Sequence, residues 1–223
     1  MTNGLTTRTA TNADIPFLAR IEYEASLPPL NRCFWEDLLE DTQTSALALI
    51  EAVMRAGASN WGEVTDFLIL EENGKPVAAA AGYEPNQEDY CPLRISRLAK
   101  VAQELNWSEE TMAIFRDRYE LLWGGNYRPF FLTPHAPWII ENVAVLPEAR
   151  GRGLGKILLK ALLEKGRSQH YTHAGIMVIN GNEIARRTYE SIGFKPYQTF
   201  YGDYFSEQFN IPFPGVTKFG FCY

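Results

Sequence analysis

The chain has 223 residues, of which 46% are hydrophobic and 22% are charged, and its formal net charge is −6. This balance is typical of a globular protein with one sizeable core, so we predict a single domain over residues 1–223. The acidic charge argues against non-specific binding to nucleic acid or to anionic membranes, and it weakly favours a cationic or amine partner.

The cysteines and histidines give no sign of a metal site or of a disulfide framework. Cys33, Cys91 and Cys222 are odd in number and widely spaced, and the three histidines lack metal-binding spacing. The N-terminal segment is polar, and no stretch approaches the length of a membrane span. We therefore expect a cytoplasmic protein with reduced thiols, no metal and no membrane partner.

The part of the chain before Glu84 predicts a strand, two helices and a hairpin. Residues 5–8 form a short strand, and Thr11 or Asn12 caps a helix that the prolines near residue 28 end. A second, long helix is predicted over residues 34–54. Residues 64–70 and 76–83, joined by a turn that contains Asn73-Gly74, then predict an antiparallel hairpin.

Residues 86–134 predict a helical insertion ahead of the central strand. Helical periodicity covers residues 93–105 and 108–123, Ser108 is a suitable cap, and Gly124-Gly125 ends the second helix. The segment is rich in aromatic residues, including Tyr127, which are more often core than ligand contacts. An insertion beside a cleft nevertheless commonly shapes a substrate pocket.

The centre of the chain is a strand, a glycine-rich turn and a helix. Residues 138–145 are β-branched and apolar and predict a buried strand, and residues 154–169 carry apolar positions at helical spacing. Between them stands Arg150-Gly151-Arg152-Gly153-Leu154-Gly155-Lys156. Such a turn directs free backbone N–H groups and the positive end of a helix dipole at one point, so it suits a phosphate or pyrophosphate.

Two common phosphate loops fail against this turn. A dinucleotide fingerprint requires glycine where Lys156 stands. The P-loop requires glycine where Arg150 stands and Ser or Thr where Ile157 stands. The turn therefore belongs to a different type of phosphate site.

The last part of the chain predicts a strand, a capped helix and two aromatic-rich strands. Residues 173–179 form a buried strand, and a helix then begins at the cap Asn182 and ends at Gly193. Residues 195–201 and 216–223 supply the final strands. The aromatic segment over residues 200–223 also suits a homodimer interface.

Two motifs in this order resemble the GCN5-related N-acetyltransferase (GNAT) superfamily. Arg150, Gly153 and Gly155 fit the family's Gln/Arg-x-x-Gly-x-Gly/Ala signature. The second motif is Asn182-x-x-Ala185-x-x-x-Tyr189-x-x-x-Gly193-Phe194. The resemblance implies an α+β fold, in which helices flank a central, mixed and mostly antiparallel twisted sheet of about seven strands.

The resemblance also implies acetyl-CoA as the donor and a primary amine as the acceptor, which react directly in a ternary complex. The pyrophosphate of coenzyme A is expected at the N–H groups of the turn, and its pantetheine arm along the strand before it. A backbone N–H near Val143 or Ala144 is expected to hold the thioester carbonyl. The expected cofactor residues are Val143, Ala144, Val145, Arg150, Gly151, Arg152, Gly153, Leu154, Gly155, Lys156, Asn182, Ala185 and Tyr189.

Two residues are candidates for the proton transfers. Tyr189 aligns with the family tyrosine that protonates the departing thiolate. Glu141 is the candidate base; strict alternation places it on one strand face with Val143 and Val145, and family members often carry a carboxylate on this strand. The alternative for Glu141 is a partly buried carboxylate paired with an arginine. His135, just before the strand, is a more remote candidate.

The acceptor stays open between small cationic molecules, peptide N-termini and lysine side chains. Arginines of the insertion suit a substrate carboxylate, as in an amino acid, although charges on helices usually form a solvated face; they are Arg94, Arg97, Arg116 and Arg118. An alternative of another class is a non-catalytic acyl-CoA-binding or regulatory module of the same fold. The presence of both Tyr189 and a strand carboxylate favours the enzyme.

Overall fold

A computed structural model describes residues 4–124 and 129–223. Within these residues one sheet of seven strands runs through the chain, with the strand order β1-β2-β3-β4-β5-β7-β6. The elements are β1 (Leu5–Thr9), α1 (Ile15–Ser26), α2 (Phe34–Leu38), α3 (Ala46–Arg55), β2 (Phe67–Glu72), β3 (Lys75–Tyr83), α4 (Leu98–Glu104), α5 (Glu109–Trp123), β4 (Trp138–Val145), α6 (Leu154–Ser168), β5 (His173–Ile179), α7 (Glu183–Glu190), β6 (Lys195–Phe200), α8 (Asp203–Phe209) and β7 (Val216–Cys222).

The sheet is mixed and mostly antiparallel, as predicted. β4 and β5 form its parallel pair, whereas the other neighbouring strands are antiparallel. The apolar sides of α1 and α3 pack on one face of the sheet, and α6 packs on the other face through its buried leucines. Each face therefore has its own core, and β4 lies between the two cores.

A β-bulge in β4 corrects one prediction about its faces. The register with β3 shifts between Ala79 and Ala81, and Asn142 has the left-handed value φ 55°. Asn142 and Val143 together therefore face a single residue of β3. The prediction that Glu141 shares a face with Val143 and Val145 is wrong, because the extra residue reverses the alternation. Glu141 lies on the α1 side with Ile139, whereas the two valines pack with the α6 core.

The single long helix predicted over residues 34–54 is divided into two helices. α2 ends at Leu38 and α3 begins at Ala46, and Asp41 and Gln43 between them have positive φ values. The Oγ of Ser45 accepts a 3.2 Å hydrogen bond from the backbone N–H of Ala48 and so caps α3. One helix was predicted because the apolar residues keep their helical spacing across the turn. Local hydrogen bonds of Thr and Ser side chains stabilise this turn.

The insertion is helical as predicted, but its first helix begins later. Leu93 and Arg94 donate their backbone N–H groups to the hydroxyl of Tyr119 and to the carbonyl of Ala58, at 2.8 Å each. These donors are directed at other parts of the fold, and the regular α4 begins only at Leu98. α5 ends at Trp123, and the predicted Gly125 and Tyr127 lie outside the described residues.

The C-terminal segment contains a helix that the sequence did not predict. α8 lies between β6 and β7, and its Phe205 is buried, as is Phe219 of β7. Much of the aromatic surface proposed for a dimer is thus used inside the chain, although Tyr201 stays 78% exposed. Across the described residues, no helix is both long enough and apolar enough to cross a membrane.

Candidate active site

The site lies where β4 and β5 stop pairing. Parallel pairing joins Trp138–Ile140 to Ala174–Ile176, and no pairing with β5 is present for the rest of β4. A cavity of about 690 Å³ opens there, and residues of both strands line it. The backbone of Val143, Ala144 and Val145 therefore has an edge with no neighbouring strand, which suits an extended peptide-like ligand.

The glycine turn forms one wall of this cavity. Gly151 and Gly153 have φ values of 79° and 74°, which residues with a side chain adopt only at a cost. Lys156 donates its backbone N–H to the carbonyl of Gly153 at 3.1 Å. The N–H groups of residues 151–155 donate to no acceptor in the described part of the chain. They are free donors at the N-terminus of a long helix, which is the geometry of an anion site.

The three cations of the turn have different environments. Arg150 donates to the Glu24 carboxylate at 2.8 Å and to the carbonyl of Val145 at 3.0 Å, so it ties the turn to α1 and β4. Lys156 lines the cavity and has no ion pair within residues 4–124 and 129–223. Arg152 instead pairs with Glu72 of β2 at 2.9 Å and does not line the cavity. The structure thus directs the side chain of Arg152, but not its backbone N–H group, away from the other predicted cofactor residues.

α7 brings the second motif to the same cavity. The Oδ1 of Asn182 accepts a 3.2 Å hydrogen bond from the N–H of Ala185, so Asn182 caps α7 as predicted. Asn182, Ala185 and Tyr189 all line the cavity. Tyr189 is 6% exposed and packs against Phe194 and Phe219, with ring centroids 6.2 and 6.1 Å away. Burial, and then the Glu141 carboxylate, raises the pKa of its hydroxyl, which keeps that hydroxyl protonated at neutral pH.

Glu141 reaches the cavity from the α1 side of the sheet. Its Oε1 accepts a 2.9 Å hydrogen bond from the hydroxyl of Tyr90, which lies 3.5 Å from the hydroxyl of Tyr83. Burial raises the pKa of Glu141 to about 7, against the opposing effects of Tyr90 and Lys218. No arginine pairs with Glu141 among the described residues, so the alternative role predicted from the sequence finds no partner there.

Two further charged residues near Glu141 were missed from the sequence. Glu22 of α1 lines the cavity, is 7% exposed and accepts a 2.9 Å hydrogen bond from Trp35 Nε1. Burial raises its pKa to about 7. Its sequence signal was a carboxylate on the apolar face of α1, four residues after Leu18. Lys218 of β7 is 2% exposed, and burial lowers its pKa to about 8. Lys218 is a single charge in an apolar strand, which is a weaker signal.

The remaining predicted candidates lie away from the cavity. His135 has its Nε2 3.0 Å from the carbonyl oxygen of Phe219, burial lowers its pKa to about 4, and it does not line the cavity. Within the described residues, no group of three or more His, Cys, Asp or Glu side chains is placed to hold a metal ion. Glu22 and Glu141 thus both line the cavity with a carboxylate whose pKa burial raises.

Residues 27–194 match the model of the Acetyltransferase (GNAT) family. The chain belongs to this family. The match includes both motifs, from the glycine turn to Phe194 at the end of the second motif. Among curated protein sequences, none matches the chain.

Solved structures of acetyltransferases share the fold at low sequence identity. An N-acetyltransferase from Staphylococcus aureus Mu50 has a TM-score of 0.60 at 19% identity, over 97% of this chain and 100% of that chain. A ribosomal-protein-alanine N-acetyltransferase from Brucella melitensis has a TM-score of 0.52 at 20% identity, over 98% and 99%. A Salmonella typhimurium protein solved with its cofactor acetyl-CoA has a TM-score of 0.51 at 18% identity, over 99% and 94%.

Proposed function

We propose that this GNAT protein is an N-acetyltransferase that moves an acetyl group from acetyl-CoA to a primary amine, by direct attack in a ternary complex. One observation carries the proposal: a single cavity is lined by the glycine turn, by the edge of β4 and by both Tyr189 and Glu141. The groups that we propose to bind the donor and to transfer protons therefore line one cavity.

The residues of the donor side fit coenzyme A. Free N–H groups over residues 151–155 suit the pyrophosphate, and Lys156 adds positive charge beside them. The unpaired edge of Val143–Val145 suits the two amides of the pantetheine arm. Acetyl-CoA supplies the reaction with an activated acetyl thioester. Arg152 contributes through the backbone, since its guanidinium is held by Glu72.

Proton transfer is assigned to Glu141 and Tyr189. An acceptor amine arrives as an ammonium ion, so Glu141 takes its proton before nitrogen attacks the acetyl carbon. The N–C bond forms, the C–S bond breaks, and the Tyr189 hydroxyl donates a proton to the sulfur. The attacking nitrogen passes its second proton to the tyrosinate oxygen, which restores Tyr189, and Glu141 releases its proton to solvent. The raised pKa of Glu141, at about 7, suits a base at neutral pH. Such a carboxyl group is partly ionised at this pH, and its carboxylate is a stronger base than that of an ordinary glutamate.

A free-thiol release assay with acetyl-CoA and a broad panel of amines tests the function. We expect thiol release above the acceptor-free rate for at least one amine, and its loss in Glu141→Gln and Tyr189→Phe. Calorimetric binding of CoA is measured in parallel. Tight CoA binding without thiol release for any amine contradicts the proposal and favours a non-catalytic acyl-CoA-binding module.

A further inference from the structure

We propose that the acceptor is a compact primary amine with one positive charge and an apolar, preferably aromatic, body. This inference rests on the proposed N-acetyltransferase function and concerns the end of the cavity away from the glycine turn. We call that end the acceptor chamber, and its wall residues are Phe34, Trp61, Trp123, Phe131, Phe205 and Phe213.

The wall of the acceptor chamber is a continuous set of aromatic contacts. The ring of Phe34 lies 5.9 Å from Trp61 and 5.4 Å from Trp123, and Trp123 lies 5.6 Å from Phe205. Phe205 and Phe213 follow at 5.2 Å. These residues come from α2, the segment before β2, the insertion and the C-terminal segment. Parts of the chain remote in sequence thus combine into one apolar surface, which favours an apolar ligand body.

The charges of the chamber favour one ammonium group. Glu22 and Glu141 line it, and neither has a salt bridge within the described residues. Their hydrogen-bond partners are neutral donors: Glu22 accepts from Trp35 at 2.9 Å and from the Asn142 side chain at 3.5 Å, and Glu141 accepts from Tyr90 at 2.9 Å. The buried Lys218 attracts Glu141, so the two carboxylates and this lysine together leave one negative charge unbalanced. A buried charge is stabilised by an opposite charge, so one incoming ammonium ion supplies the missing partner.

The same charges disfavour an acceptor that carries a carboxylate. Among the described residues, three cations line the cavity. Two of them, Arg150 and Lys156, belong to the glycine turn, and the third, Arg32, already pairs with Asp37. The insertion arginines considered for an amino acid do not line the cavity. Arg94 donates to Asn60 at 2.8 Å, and Arg97 donates to the carbonyl of Ala56 at 3.0 Å. A substrate carboxylate would therefore enter the aromatic chamber without a free cation.

Two matched pairs of acceptors test these conclusions by thiol release. Phenylethylamine and phenylalanine differ by one carboxylate, and hexylamine and 1,6-diaminohexane differ by a second charge. We expect kcat/KM to favour the first member of each pair by at least about tenfold, since an unpaired buried charge is costly. Thiol release that prefers phenylalanine, the diamine or a lysine peptide overturns the inference and leaves the proposed function intact.

Binding provides a readout that does not depend on turnover. Trp61 and Trp123 are part of the chamber wall, so we expect phenylethylamine to change the tryptophan fluorescence of the CoA-saturated protein. If phenylethylamine does not change the fluorescence, the inference is overturned, even if no amine is acetylated. If the fluorescence changes with phenylethylamine but no amine releases thiol from acetyl-CoA, the result supports the chamber and contradicts the proposed function.

A substitution in the wall completes the test. Phe34 is half-buried, so Phe34→Leu is expected to fold. It should raise the KM for phenylethylamine about three- to tenfold, because a lost aromatic contact corresponds to about 0.5–1.5 kcal/mol. Phe17→Leu is the matched control, because Phe17 is also half-buried but does not line the cavity. Equal effects of the two substitutions contradict a role of the wall in binding.

Discussion

The hydroxyl of Tyr90 donates a 2.9 Å hydrogen bond to Oε1 of Glu141. Tyr90 precedes α4 in the segment that separates β3 from β4, whereas Glu141 belongs to the central strand. The insertion thus provides the partner of the candidate base. The bond stabilises the ionised carboxylate, and so it opposes the effect of burial on the pKa of Glu141.

The pH dependence of turnover is the first prediction. A base must be unprotonated, so kcat/KM should fall as the pH drops below the Glu141 pKa of about 7. Glu141→Gln should lower the rate by about 100-fold or more and flatten this acidic limb. Thiol release is measured from about pH 5.5 to about pH 8.5. Glu164→Gln, on the exposed side of α6, is the control; an unchanged limb in Glu141→Gln assigns the base to solvent or to another residue.

Removal of the Tyr90 hydroxyl should shift the acidic limb of the pH–rate profile. Tyr90→Phe deletes a hydrogen bond that lowers the pKa of Glu141, so the limb should shift to higher pH. The pH–rate profile of Tyr90→Phe checks this. Tyr171→Phe is a matched control, because Tyr171 also donates to a carboxylate, Glu84, at 2.9 Å, but that pair is exposed. A shift to lower pH would show that the bond does not favour the carboxylate.

The role of Tyr189 is tested by the removal of one oxygen. Tyr189→Phe should lower kcat by about 100-fold or more, because the departing thiolate loses its proton donor. CoA affinity should stay nearly unchanged, since the ring still packs against Phe194 and Phe219. Thiol-release assays measure kcat, and calorimetry with CoA measures the affinity, so the two effects are separated. Tyr197→Phe, which is 69% exposed, is the control; unchanged turnover in Tyr189→Phe removes this tyrosine from the mechanism.

The glycine turn allows a comparison between two glycines of equal backbone conformation. Gly153 and Gly74 have φ values of 74° and 76°, and a Cβ at either meets no atom within 4 Å. Gly153→Ala and Gly74→Ala should each lower the free energy of unfolding by about 1 kcal/mol, from backbone strain alone. Denaturant unfolding measures this. Only Gly153→Ala should also weaken CoA binding, because its turn carries the free N–H groups; equal CoA affinities contradict the site.

Stability should fall as the pH rises through neutrality. The pKa of Glu22 is raised from 4.5 to about 7 in the folded chain, so the folded state binds more protons between these values. The contribution of Glu22 to the free energy of unfolding is fully present below about pH 4.5 and is lost as the pH rises to about 7. It corresponds to roughly 3 kcal/mol at ~1.4 kcal/mol per pH unit.

Glu22→Gln isolates this contribution. The substitution removes the ionisation but keeps an acceptor for Trp35, so the variant should lose less stability than the wild type between about pH 5 and about pH 8. Denaturant midpoints across this range provide the measurement. Glu51→Gln, on the surface of α3, should keep the wild-type slope. Equal slopes for Glu22→Gln and the wild type contradict the raised pKa.

Local patterns sufficed for the central unit of the fold. The strand, the turn and the cap at Asn182 depend on neighbours within a few residues, and all three are found where predicted. The face of Glu141 was mispredicted, because the left-handed Asn142 becomes a bulge only through pairing with β3. Glu22 was missed for a similar reason: its position at the cavity depends on how α1 packs across β4, which local sequence does not encode.

Under the proposed function, the end of pairing between β4 and β5 separates a donor side from the acceptor chamber, and we expect the two regions to differ in their tolerance to mutation. On the donor side, we expect recognition to depend on peptide groups that every residue possesses, so substitutions at Val143 or Val145 that preserve the strand should leave the donor preference intact. In the acceptor chamber, we expect recognition to depend on ring faces and carboxylates, so that a single replacement there changes the surface offered to an amine. Acceptor range can therefore diversify, by evolution or by design, while the same acyl donor is retained.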